Sequence, residues 1–310
     1  MKLNLHTTDT TSIKQNSLAG IGLALLAVFI WSANFIVARD MKGQVPPISL
    51  AFFRWSTASV IIFLISFKRI KAEWEIIKRS LPFLLMVSIP GIALFNTFVY
   101  IGAQYTTAIN LALIGTTSSP VIAVILARFF LQEHIGSKKI IGMILCIGGV
   151  LLILSKGHFQ TLLSFHFSKG DLWMLAGAFF FAVYNTLARK KPVAISTSSF
   201  LAITFLMGAL MLLPFYLMEK NHLAPVKWTP YIFSVILYLG LGASVICFMI
   251  WNIAIHKIGT GRTALFGNLI PVFTSIEAVL FLHESFTIYH FISMVLVIAG
   301  LFFANLRKTR

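Results

Sequence analysis

Long apolar runs alternate with short polar connections along this chain, and no run shows the period-2 alternation of a barrel strand. The runs predict ten helices, over about 18–38, 47–67, 81–103, 107–131, 139–155, 170–188, 197–218, 230–254, 263–282 and 287–306. Residues 18–38 carry no charge over 21 positions. At about 1.5 Å per residue that length crosses a hydrocarbon layer of about 30 Å. Residues 80–127 are charge-free for 48 positions, which suits two crossings with a tight turn between them. Residues 1–17 are polar and predict a tail ahead of a retained first helix, since the first apolar run is longer than a signal-peptide core.

The pattern repeats after 151 residues. With Tyr100–Leu152 laid over Trp251–Phe303, 13 of 53 pairs are identical, where chance gives roughly four or five. Matches include Ala103/Ala254, Pro120/Pro271, Phe130/Phe281, Glu133/Glu284 and Gly149/Gly300, and the same offset pairs Phe29 with Phe180 and Asn34 with Asn185. The expected organisation is a cytoplasmic tail (1–17), a first five-helix repeat (18–155) and a second (170–306). Five crossings per repeat leave the second upside down. The expected fold is therefore an all-α membrane protein of ten transmembrane helices in two inverted repeats, a plan that places a solute route at the seam.

Composition fits a bilayer, with 58% hydrophobic and only 11% charged residues. The net charge of +16 reflects Lys and Arg gathered between spans and gives no sign of a nucleic-acid partner. With ten spans and the N-terminus inside, 17 basic residues face the cytoplasm and six the outside, with Arg54 and Arg128 in spans. That asymmetry predicts a multi-pass protein of the cytoplasmic (inner) membrane with both termini cytoplasmic.

Few ionisable groups fall inside spans, and such groups tend to be functional. Arg54 and Glu277 are the two evident ones, at similar predicted depth, so pairing across the halves is open. Arg54 suits a substrate carboxylate or a structural ion pair; Glu277 suits a coupling proton. Trp31, Asn34, Asn96, Tyr100, Tyr184, Asn185 and Trp251 are candidates to line a substrate cavity, or alternatively to serve as interfacial anchors and interhelical bonds. Pro90, Pro120 and Pro271 interrupt predicted helices and are candidate hinges, with static kinks as the alternative. The Gly148-Gly149 and Gly240-Leu241-Gly242 stretches suit close helix contacts.

The Trp31-Ser32-Ala33-Asn34 pattern, the Pro120…Leu131-Gln132-Glu133 run before Gly142 and Gly148-Gly149, and its recurrence as Pro271…Leu282-His283-Glu284 before Gly300 resemble the EamA family of the drug/metabolite transporter superfamily. The resemblance covers about 18–306. It implies export of small metabolites, often amino acids or their derivatives, by alternating access. Drug or cation efflux and other metabolite carriage are alternatives within the same fold. One departure is Phe205 near the position equivalent to Arg54, so that charge is not duplicated.

An intramembrane enzyme would need convergent acid, base and nucleophile groups, and the eight histidines are spread over termini and connections. Cys146 and Cys247 lie in separate apolar spans, with neither a disulfide nor a metal-ligand spacing, so no cofactor or metal is expected. A polytopic sensor is the third class. The expected partners are a small-molecule substrate and the lipid bilayer, with a homodimer contact through the fifth and tenth helices left open.

Overall fold

The computed structural model describes residues 7–130, 132, 136–158, 167–223 and 225–305. Glu133 and His134 lie outside the described residues. All described secondary structure is helical. Helix α1 spans Thr7–Asp40 and α2 spans Pro47–Ala72, with a short surface helix, Trp74–Arg79, after it. Helix α3 joins Leu81–Ser88, a π-helical Ile89–Leu94 and Phe95–Ala103. Next come α4 (Ala108–Phe130), α5 (Ser137–Leu154), α6 (Lys169–Ala188) and α7 (Thr197–His222). Helix α8 joins Pro230–Leu237, a π-helical Tyr238–Ile246 and Cys247–Ile258. Helix α9 is Thr260–Gly267 followed by Ile270–Leu282, and α10 is Ile288–Asn305. Among the described residues nine helices are long and apolar enough to cross a membrane, with Ile288–Phe303 a shorter tenth.

Part of the polar 1–17 stretch is helical. Helix α1 begins at Thr7, because Thr7–Ser17 contains neither Pro nor Gly and simply extends a helix the apolar segment has already nucleated.

Packing follows the repeat. Helix α2 packs on α7 and α5 on α10, each pair made of equivalents. Helix α1 packs on α8 and α9, while α6 packs on α3 and α4. Exchanging the halves turns each contact into another of the set, as a pseudo-two-fold relation requires. The chain is an all-α membrane protein of inverted five-helix repeats.

Carboxylates stitch the repeats at the helix ends, where free backbone N–H groups need acceptors. Glu219, late in α7, accepts from Ile48 N (3.2 Å), Ser49 N (2.6 Å) and Ser49 Oγ (2.7 Å) at the start of α2. Glu73, just after α2, returns the contact by accepting from Ser196 N (3.0 Å) and Ser196 Oγ (3.1 Å) ahead of α7. Glu284, after α9, accepts from Ala108 N (2.8 Å) and Ile109 N (3.2 Å) at the start of α4. Burial pushes the Glu73 carboxyl up, but the Ser196 N–H, the Ser199 and Ser196 hydroxyls and the Arg69 charge outweigh it and hold it below the usual range. A depressed folded-state value contributes stability above the ordinary carboxylate range, and that contribution fades as pH falls through the lowered one. Because Glu73 is largely solvated, Glu73→Gln is expected to cost under about 1 kcal/mol at pH 7 and nothing once the wild-type carboxyl is protonated. Thermal denaturation of the purified chain at several pH values checks this.

Small residues close the α5–α10 seam, and only some of the expected ones take part. A Cβ on Gly149 would stand 2.9 Å from Val297 Cγ2, and one on Gly300 2.6 Å from Gly142 O. Gly148 meets nothing within 4 Å. Gly240 approaches Thr57 of α2, whereas Gly242 meets only Tyr238 of its own helix. Gly142, Gly149 and Gly300 are thus used within one chain and do not form a free stripe for a second copy.

Candidate functional site

The most consequential side chain in the seam is Arg54. It is 4% exposed, two turns into α2, and three other helices converge on it. Its Nη1 donates toward Asn34 Oδ1 of α1 (2.6 Å), Asn96 Oδ1 (2.8 Å) and Tyr100 Oη (2.9 Å) of α3. Its Nε donates to Ser244 Oγ of α8 (3.0 Å). The guanidinium carbon lies 4.7 Å from the centre of the Trp55 ring, which itself packs on Phe205 at 4.7 Å. All four polar partners are neutral. Among the described residues no acid lies within ion-pair distance of Arg54. No hydrogen bond from Nη2 to a described residue completes the set, which leaves one corner of the fork unclaimed.

Local backbone geometry explains Ser244. The π-helical Tyr238–Ile246 turn lets Ser244 Oγ donate to Leu239 O, five residues back, at 2.8 Å while accepting from Arg54. The equivalent stretch in α3, Ile89–Leu94, is also π-helical, and there the Ser244 position is Ala93. A polar pair in one orientation, Arg54 with Ser244, thus faces an apolar one, Phe205 with Ala93, in the other. The scaffold is duplicated and the charge is not.

Glu277 of α9 is also 4% exposed. Its Oε1 accepts from Ser32 Oγ at 2.8 Å, and its Oε2 is buried with no partner. Ser32 and Asn34 are two residues apart on α1, hence about 200° apart around it. The pairing of Arg54 with Glu277 left open by the sequence is therefore not formed: each carboxyl or guanidinium takes a different face of α1.

The structure brings Asn34, Asn96 and Tyr100 onto Arg54; Tyr100 is fully buried there and is no interfacial anchor. Trp31 donates from Nε1 to Ala243 O (3.0 Å), with its ring 5.1 Å from half-buried Trp251 and 5.5 Å from Phe248. Tyr184 packs over Gly91, where an added Cβ would come within 2.1 Å of its ring. Asn185 is half-buried and bonds no described residue, so the paired asparagines of the repeat do different things. The prolines differ as well. Pro90 lies in the first turn of the α3 π-segment. Helix α4 runs unbroken through Pro120, which corrects the expected interruption; the bundle tolerates one missing donor there. Pro271 sits in the first turn of Ile270–Leu282, after a break at Asn268–Leu269, where its missing N–H costs nothing. Ser32 entered the sequence reading only within the Trp31–Asn34 pattern, and Trp55 and Ser244 were not singled out at all.

The family profile of the EamA-like transporters matches residues 18–155 and again 168–306. The chain belongs to the EamA-like transporter family. Relatives in that family include an uncharacterized transporter of Archaeoglobus fulgidus, 28% identical over 92% of this chain and 97% of its own length. The uncharacterized transporter YyaM of Bacillus subtilis is 28% identical over 92% and 93%. A probable amino-acid metabolite efflux pump of Escherichia coli is 26% identical over 90% and 92%. One chain of known crystal structure superposes with a TM-score of 0.61 over 94% of this chain and 96% of its own, at 18% identity, which shows a shared fold. Like its relatives the protein is a transporter and not an enzyme. Among its described residues no group of His, Cys, Asp and Glu is placed to hold a metal.

Proposed function

We propose that this transporter exports amino acids or closely related metabolites across the cytoplasmic membrane, with both termini cytoplasmic and Arg54 holding the substrate carboxylate. One observation carries the reading: a buried guanidinium with neutral partners, an open Nη2 and no described counter-ion. A charge that far from water is costly unless something completes its shell, and a planar carboxylate matches the fork. A cationic drug would meet like charge at the same place. The proteins named probable amino-acid metabolite efflux pumps in Escherichia coli and Salmonella typhimurium, 26% and 24% identical, support the same class. Counterflow of labelled amino acids in proteoliposomes tests it. Saturable exchange is expected, and exchange of other metabolites but no amino acid removes the substrate class.

Glu277 is the proposed coupling group, because its free Oε2 is a place where a proton can be loaded inside the bundle. Glu277→Gln is expected to keep exchange within about threefold while abolishing uphill transport driven by a pH gradient. Equal loss of both would make Glu277 a structural or substrate contact.

A further inference from the structure

A second buried polar network, unrelated to Arg54, lies at the end of the bundle that charge asymmetry assigns to the outside. Asp171, in the first turn of α6, is fully buried, and Thr106 of the α3–α4 turn, Asn110 in the first turn of α4 and His290 of α10 are each at most 6% exposed. Thr106 Oγ1 donates to Asp171 Oδ1 at 2.6 Å, with Asn110 Nδ2 behind it at 3.5 Å. Asn110 Nδ2 also donates to Thr106 Oγ1 at 3.2 Å. Its amide oxygen therefore faces His290, whose Nε2 stands 3.2 Å away. Asp171 Oδ2 is buried with no partner.

These contacts fix the form of the imidazole. Facing an amide oxygen, Nε2 must carry the hydrogen. Nδ1 accepts from Thr287 N at 3.0 Å, with Thr287 Oγ1 also at 3.0 Å. Thr287 precedes α10 and His290 is its third residue, so the imidazole plays the part usually taken by Glu or Gln in a capping box. A glutamine there would have no proton to gain. The imidazole does, and once Nδ1 is protonated it cannot accept from an N–H.

We propose that His290 is a proton-binding site that latches the outer end of the transporter: neutral, it caps α10 and ties it to α4 and α6; protonated, it releases that cap. A proton taken up at Nδ1 turns the ring into a donor on both nitrogens. The Thr287 hydroxyl can turn to accept from it, but the Thr287 N–H loses its only acceptor. Asp171 on α6 lies beyond Asn110 and Glu284 caps α4 one turn away, while Lys156, beyond α5, acts on Asp171 from the far side. Tyr289 and Phe286 contribute only ring contacts, at 4.3 and 5.8 Å. Since Glu284 leads directly into α10, a loosened first turn also withdraws the cap from Ala108 and Ile109.

The repeat does not duplicate these four residues at the opposite end. The repeat positions equivalent to Thr106, Asn110, Asp171 and His290 are Lys257, Gly261, Gly20 and Lys139. There Gly20 packs against Ile258 and the Lys257 stem. The His290 network is thus not duplicated by the repeat.

Hydrogen–deuterium exchange on the full purified chain, corrected for chemical exchange, tests the latch between pH 7.5 and pH 4. Backbone protection at 287–290 and at 106–110 is expected to fall together by roughly tenfold in the wild type, the size of one lost hydrogen bond. His290→Gln keeps a capping acceptor that does not titrate, so its protection at both segments is expected to be independent of pH. Wild-type protection that is constant, or that falls at 287–290 alone, overturns the proposal. So does a His290→Gln protein that loses protection as the wild type does. Should that variant not fold, Asn110→Ala serves instead, because it cuts the tie while leaving the cap: 106–110 is expected to be poorly protected at both pH values and 287–290 to keep its pH dependence. PH-independent protection at 287–290 in Asn110→Ala also overturns it.

Discussion

Arg54→Gln is expected to lower amino-acid counterflow by about 100-fold, as a raised half-saturation concentration and a reduced maximum together. Truncating one partner of a buried, hydrogen-bonded charge pair costs about 2–5 kcal/mol, and 100-fold, about 2.7 kcal/mol, lies toward the lower end of that range. Glutamine keeps a polar amide in the seam but stops short of the Nη1 position that bonds Asn34 and Asn96, so thermal stability of the variant is measured beside its counterflow. Arg54→Lys is expected to fall between the two, because an ammonium keeps the charge and cannot reach Asn34, Tyr100 and Ser244 while also offering a second fork to substrate. Wild-type counterflow kinetics in Arg54→Gln at equal reconstitution would make the guanidinium a structural cross-brace between α1, α3 and α8.

The second large effect is on the fold. Gly300→Val is expected to cost about 3 kcal/mol, because its Cβ would meet Gly142 O at 2.6 Å and Cys146 N at 3.0 Å, backbone atoms of α5 that cannot rotate away. Helices α5 and α10 are repeat equivalents whose closest approach is at Gly142 and Gly300, so separating them disturbs both halves at once. Gly148→Ala, nearly adjacent to the same seam, meets nothing and is expected to be neutral or slightly stabilising through helix propensity. Thermal stability in detergent should separate the two variants clearly. A well-folded Gly300→Val protein would mean that the two helices pack less closely than the structure has them.

These expectations depend on features of unequal legibility. The ten spans were readable because each is a long apolar run, and the inverted arrangement followed from odd parity and the 151-residue offset. Arg54 and Glu277 stood out because charge in an apolar run is conspicuous. Asp171 and His290 did not, although they are equally buried, since both lie in the first turn of a helix, where pattern alone reads a polar residue as facing headgroups. The π-helical turns were also invisible. In α3 the turn contains Pro90 and Gly91, which give a hint, but in α8 it contains only apolar residues, glycines and Ser244. A widened turn comes from packing, here the approach of Gly240 to Thr57, and local composition does not encode it. The partners of Glu277 and Arg54 were illegible for a related reason. Whether two groups meet across α1 depends on which face each approaches, and the repeat offset carries no rotation angle.

The most direct test of a carboxylate held by Arg54 compares each transported amino acid with its own carboxamide as competitors of counterflow in proteoliposomes. The two differ only at the group the guanidinium is proposed to hold. The free amino acid should compete and its amide should not, and that preference should disappear in Arg54→Gln. Equal competition by acid and amide in the wild type would contradict the assignment.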